Sequence, residues 1–193
     1  DDQGRRSGIR REIEQAFPGR KYFYNTALRM GGPNQFLDTS PLDSRIYPWL
    51  ALETGYNGIL YWASNRYRYP AAKDLSLVKR TLGWSPYNNS LGPMPDGGVI
   101  PGYGAGANWN LYPTASGLIA SLRALRLRDG LVDHWLYIQS WNKCNRDGAA
   151  GCREMLINIR KRISGNSNVI ADFSRNPSDY DEARELMVGV LEN

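Results

Sequence analysis

The stretch that most constrains the fold is Gly58-Ile59-Leu60-Tyr61-Trp62, a short apolar run entered through the turn pair Asn57-Gly58 and left through Ser64-Asn65-Arg66. Its length and its β-branched and aromatic content favour a strand over a helix. Because polar residues do not alternate along it, it is expected to be buried on both faces, as strands of parallel sheets are. Parallel neighbours need a crossover connection, usually a helix. The flanking residues supply one: Lys21-Tyr22-Phe23-Tyr24-Asn25 reads as an earlier strand, and Ser44 to Glu53, with Ile46, Trp49, Leu50 and Leu52, reads as a helix ended by Gly55. Pro48 is tolerable there if it falls in the first turn. A short amphipathic helix is predicted ahead of these, over Gly8 to Phe17, where Ile9, Ile13 and Phe17 share a face and Pro18-Gly19 ends the run.

Beyond the strand, residues Arg66 to Ala107 turn to Pro, Gly, Asn and Tyr with no sustained period, the pattern of a long irregular loop with a functional role. Asn110-Leu111-Tyr112-Pro113 reads as the end of another strand. Ser116 to Gln139 reads as a long helix with Leu118, Leu122, Leu125 and Leu131 on one face and Gly130 as a point of division. Helices are predicted over Cys152 to Ile163 and Pro177 to Leu191, the latter capped by Ser178. The order is an α/β alternation with a helical tail over residues 140–193, within one domain over residues 1–193. A closed (β/α)8 TIM-type barrel needs eight strands and about 250 residues; at 193 residues with three visible strands, this chain is expected to be only part of one. The isolated chain is expected to be insoluble or molten, because an incomplete sheet exposes unpaired backbone groups. It opens on Asp1-Asp2-Gln3, so a leader or longer precursor is expected ahead of it.

Composition narrows the function. With 24 Lys+Arg against 19 Asp+Glu the net charge is +5, mildly basic, and without an aromatic RNA-binding signature the arginines do not point to nucleic acid. No stretch is apolar and long enough to span a membrane. One histidine, His134, and two cysteines leave too few soft ligands for a four-ligand zinc site; no metal and no cofactor is expected, and Gly102-Tyr103-Gly104-Ala105-Gly106 has the wrong spacing for a dinucleotide loop. A Cys144–Cys152 disulfide would suit an oxidising compartment, and two free thiols the cytosol; the glycosylation acceptor pattern at Asn88-Asn89-Ser90 favours the former and an extracellular or secretory location. The acidic neighbours Asp181-Glu182 sit in a helix's opening turn, where acids offset the dipole. Six Trp and twelve Tyr supply rings for a core and for stacking on sugars or bases. Trp62 and Asn65 stand at a strand exit, where barrel enzymes hold their ligands, the alternative for Trp62 being a plug of the core.

The pattern Gly-x-x-Gly-Ile-Leu-Tyr-Trp-Ala-x-Asn, from Gly55 to Asn65, resembles the C-terminal barrel segment of glycoside hydrolase family 123-like proteins. The resemblance extends to Tyr22–Asn25, to Arg45-x-x-x-Trp49, to Asn110-x-Tyr112-Pro113, to the helix from Ser121 through Asp129-Gly130 to Asp133, and to Asp172–Leu191 with Arg184. It implies a (β/α)8 barrel whose better-known members remove β-linked N-acetylgalactosamine by substrate-assisted catalysis. There the substrate's acetamido oxygen is the nucleophile, one carboxylate orients it, and an adjacent acid protonates the leaving oxygen. That Asp-Glu pair stands on an earlier barrel strand; neither Asp1-Asp2 nor Asp181-Glu182 matches it by position, so the acids are expected on an upstream segment or a partner chain that completes the barrel, or are lost. By the same resemblance, Tyr24, Asn25, Trp62, Asn65 and Tyr112 would line the sugar pocket. Arg45 would reach that pocket or tie its helix to the barrel, and Arg123, Arg128, Asp129 and Asp133 would form structural ion pairs. The expected function is that of a glycoside hydrolase-like component binding carbohydrate; the alternative is a non-catalytic structural or carbohydrate-binding component of an extracellular assembly.

Overall fold

The fold is that of a computed structural model, which describes residues 19–20, 22–25, 33, 35, 39–61, 110–114, 116–165 and 172–193. The helix expected over Gly8 to Phe17, the loop from Arg66 to Ala107, and Trp62, Asn65 and Asn88 lie outside them.

Strand β1 (Tyr22–Asn25) and strand β2 (Gly58–Tyr61) pair in parallel, with Tyr22 opposite Gly58 and Asn25 opposite Tyr61. Helix α1 (Leu42–Thr54) stands between them in the chain, which makes β1–α1–β2 a crossover unit of the kind the sequence pattern requires. The end of α1 is set by Gly55, whose φ of 69° is costly for any residue with a side chain. There the Tyr56 N–H reaches the Ala51 carbonyl at 2.9 Å and the Gly55 N–H the Leu52 carbonyl at 3.3 Å, closing a Schellman turn that passes directly into β2. Two expectations need correction. The strand is not buried on both faces: Leu60 is 53% exposed, because the described sheet has only two strands and no other described residue covers that side. Pro48 lies in the interior of α1, beyond its first turn, and the helix continues through it. Every residue from Leu42 to Ala51 is buried, so tertiary packing outweighs the backbone bond that proline removes.

Residues 111–114 and 117–120 form a hairpin. Strand β3 (Leu111–Thr114) pairs antiparallel with strand β4 (Gly117–Ala120), Leu111 opposite Ala120 and Thr114 opposite Gly117. The helix expected from Ser116 therefore starts later, as α2 (Leu122–Arg146), with Ser121 as its cap: the Ser121 Oγ accepts from the Ala124 N–H at 3.1 Å. Leu118 and Leu122 do have helical spacing, but Leu118 is bound to the hairpin and 60% exposed.

Gly130 does not divide α2, which runs through it unbroken. Its lack of a side chain serves packing: a Cβ there would lie 2.3 Å from the Arg45 carbonyl oxygen and 3.1 Å from Pro48 Cδ, so the approach of α1 to α2 leaves no room for a side chain at this point. Gly130→Ala is expected to cost about 1 to 2 kcal/mol net in urea unfolding, the overpacking penalty outweighing the roughly 1 kcal/mol by which Ala favours a helix.

Helix α3 (Ala150–Ser164) is joined to the end of α2 by the Cys144–Cys152 disulfide, with a Cα–Cα distance of 5.7 Å. Helix α4 (Pro177–Glu192) is capped by Asn176, not Ser178: the Asn176 Oδ1 accepts from the Ser178 N–H at 3.3 Å, with Pro177 in the first position, where its missing N–H costs nothing. The core is helical. Ile46, Trp49 and Leu50 of α1 pack with Leu136 and Tyr137 of α2, Leu156, Ile159 and Ile163 of α3, and Tyr180, Ala183 and Met187 of α4. Helices α2 and α3 pack directly on α1, and α4 packs on α2 and α3. Among the described residues there are two two-stranded sheets and no closed barrel.

Candidate functional site

The parallel pairing of β1 and β2 brings their C-terminal ends together, Asn25 beside Tyr61 in register and Tyr24 beside Leu60. This backbone placement puts two of the sequence-derived pocket residues at one strand exit, and Trp62 follows directly in the chain. Tyr112 stands on the other sheet, opposite Ile119 in the β3–β4 hairpin, so no strand pairing joins it to Tyr24 and Asn25. Asn110, just ahead of that hairpin, is 4% exposed, and neither its amide nitrogen nor its amide oxygen has a hydrogen-bond partner among the described residues. A buried amide in that state is costly. The sequence showed Asn110 only as one letter of a strand-exit pattern; its burial became visible once the hairpin was formed.

Arg45 is held by acids in the interior. Its side chain is 3% exposed; Nε donates to Asp133 Oδ2 at 2.7 Å and Nη2 to Asp133 Oδ1 at 3.3 Å, while Nη1 donates to Asp181 Oδ1 at 3.3 Å. The guanidinium carbon lies 4.9 Å from the centroid of the Tyr180 ring, a cation–π contact. Asp133 is fully buried and receives a second guanidinium, Arg184, through Nε at 2.8 Å and Nη2 at 2.5 Å, with the Trp49 indole N–H at 3.5 Å. Two arginines from α1 and α4 thus converge on one carboxylate of α2. Burial alone would lower the Arg45 pKa, but the hydrogen bonds and charge of Asp133, then those of Asp181, outweigh it and raise it. Burial likewise pushes the Tyr180 hydroxyl far above its usual range.

Helical spacing explains the convergence. Arg45 and Trp49 are four apart on α1, as are Asp129 and Asp133 on α2, so each pair shares a face. Arg184, read from the sequence only as part of the closing helix, joins both acids: its Nη2 also donates to the Asp129 carbonyl at 3.1 Å. The Asp129 side chain pairs with Arg126 and Arg128, both at 3.1 Å. Burial works against its charge, but hydrogen bonds from Arg128 and Arg126 prevail and hold its carboxyl below the usual range. Arg123 is buried and donates to the Gln35 carbonyl. The acidic neighbours in α4 are each engaged, Asp181 with Arg45 and Glu182 with Arg162 at 2.9 Å.

His134 is half-buried on α2, and burial lowers its pKa below the ordinary 6.5. The unfolded chain therefore binds this proton more readily than the folded one. The stability that the neutral ring contributes is complete above pH 6.5 and is lost as the pH falls below it. His134→Gln is expected to flatten that part of the pH dependence, read from urea midpoints across the interval.

The family described as "Glycoside hydrolase 123, catalytic domain" matches residues 7–138. No curated protein matches the chain. Among the described residues, no helix is long and apolar enough to cross a membrane, and no group of His, Cys, Asp and Glu is placed to hold a metal ion.

Proposed function

The chain belongs to the glycoside hydrolase 123 catalytic-domain family, and from that premise we propose that it is the C-terminal part of a (β/α)8 barrel forming one wall of a sugar pocket. The observation that carries this reading is the parallel β1–α1–β2 unit, whose strand exits bring Asn25 and Tyr61 side by side within the matched residues. Barrel enzymes bind substrate at that end of their strands. Tyr24 and Trp62 offer flat faces to the sugar ring, and Asn25, Asn65 and Tyr112 offer partners to its hydroxyls. Arg45 acts from behind, tying α1 to α2 and α4, a role supported by its bonds to Asp133 and Asp181. The substrate class is a β-linked N-acetylgalactosaminide. The two carboxylates that orient the acetamido group and protonate the leaving oxygen come from an upstream segment or a partner chain. The Cys144–Cys152 disulfide supports a secretory or extracellular setting.

The test is hydrolysis of an aryl N-acetyl-β-galactosaminide by the assembly that carries the acidic pair. Turnover is expected, with Trp62→Ala raising KM tenfold or more. An assembly that contains both acids and does not turn over would sink the enzyme reading, and glycan binding retained without turnover would replace it with a non-catalytic carbohydrate-binding component.

A further inference from the structure

The first turns of three helices meet around a depression of about 330 Å³. Leu42 and Arg45 of α1, Leu122 and Arg126 of α2, Pro177 and Asp181 of α4, and Arg175 just ahead of α4 line it. Three guanidinium groups face one carboxylate there. Each helix start adds a partial positive charge of about one half, offset in part by Asp43 in the first turn of α1 and Asp179 in that of α4.

The arginines are also incompletely used. A guanidinium carries five N–H donors, and Arg45 makes three hydrogen bonds, two to Asp133 and one to Asp181. One N–H on each terminal nitrogen is left without an acceptor among the described residues, on a side chain only 3% exposed. Arg175 lies over the Phe173 ring, 4.4 Å from guanidinium carbon to ring centroid, and pairs with no carboxylate among the described residues. Arg126 gives Nη1 to Asp129 and is 41% exposed, so its other donors are accessible. Buried donors without acceptors are costly, and an oxyanion would satisfy several at once with charge-assisted bonds. Asp181 is the only acid in the lining among the described residues; its side chain is 68% exposed, so it can swing outward when an anion enters.

We infer that this depression is a binding site for a small oxyanion, a sulfate, phosphate or carboxylate group, held by Arg45, Arg126 and Arg175. Its position relates it to the strand exits. Residues 55–57 join the end of α1 directly to the start of β2, so α1 begins at the opposite end of the unit, the end at which β1 and β2 finish. An anionic group there would sit on the same face as the proposed sugar cleft, beside it, although the site itself does not depend on that cleft.

Sulfate titration of the protein by calorimetry, with thermal unfolding compared against chloride at equal ionic strength, tests the inference without a glycosidase substrate. Saturable binding is expected. Arg175→Ala and Arg126→Ala should each weaken it about tenfold, the loss of one charge-assisted donor, and Asp181→Asn should tighten it severalfold by removing the competing acid. The three positions are surface-accessible, and unfolding without sulfate checks that each variant folds; should an arginine variant fail that check, Asp181→Asn still decides the sign. Sulfate stabilisation no greater than that by chloride, or affinities unmoved in all three variants, overturns the site. A sulfated hexosamine or a hexuronate that binds at least tenfold tighter than inorganic sulfate assigns the occupant to an acidic sugar. Equal affinities assign it to a free anion, and either result supports an oxyanion site.

Discussion

Asp133→Ala is expected to lower stability by about 3 to 5 kcal/mol, because removing one partner of a buried ion cluster leaves an uncompensated charge. The stranded group is chiefly Arg45, buried against Tyr180 and retaining only Asp181 at 3.3 Å. Arg184 suffers less, since its side chain is 35% exposed and can turn to water. Urea unfolding followed by tryptophan fluorescence reads the loss, and a second variant gives the physical cause. Replacing both Arg45 and Asp133 by apolar residues of similar volume removes charge and countercharge together, so the double variant should recover most of what Asp133→Ala loses. If the double variant is as unstable as the single one, the cluster acts through packing and not through charge. The cluster also has a topological consequence. Arg45 and Asp133 lie within residues 7–138, matched by the family, and Arg184 lies outside them, so the C-terminal helices contribute to the folding of the matched segment.

The second large effect is expected at Trp49. Its side chain is completely buried, edge-on to Tyr137 with ring centroids 6.0 Å apart and planes at 73°. Trp49→Ala should cost about 3 to 5 kcal/mol, the usual range for deleting a large aromatic side chain from a core. Trp49→Phe should cost less, because a ring remains against Tyr137 and the indole N–H stands at the long end of hydrogen-bonding distance from Asp133, 3.5 Å. Equal losses for the two variants would show that the N–H matters more than the ring, reversing this assignment. Both are measured by the same urea titration.

Much of the local structure was legible in the residues. The apolar run from Gly58 and the aromatic run ending at Asn25 do pair in parallel, and the intervening helix does end at Gly55. These features are short-range: strand length, a glycine that can adopt positive φ, and helical spacing need no distant partner. The errors arose where a partner outside the segment decided. Residues 117–120 carry helix-compatible spacing but pair with 111–114, and backbone pairing overrides propensity. Gly130 looked like a break because glycine weakens helices, whereas its role depends on a carbonyl of α1 far away in sequence. Of the site, the aromatic and amide residues at the strand ends were legible as residue types; the oxyanion depression was not, since Arg45, Arg126 and Arg175 come from separate segments with no shared motif.

Sequence by itself determined β1, β2 and the helix between them, the parallel sense of those two strands, and the family, because these follow from patterns within a few residues or from a motif read in order. Only the tertiary structure decided that Arg45 and Arg184 share Asp133, that α2 needs a glycine at residue 130, and that three helix starts converge on one depression. Those outcomes depend on which faces meet after the chain has closed on itself, and burial of a charge acquires its cost only once water has been excluded from both sides of it.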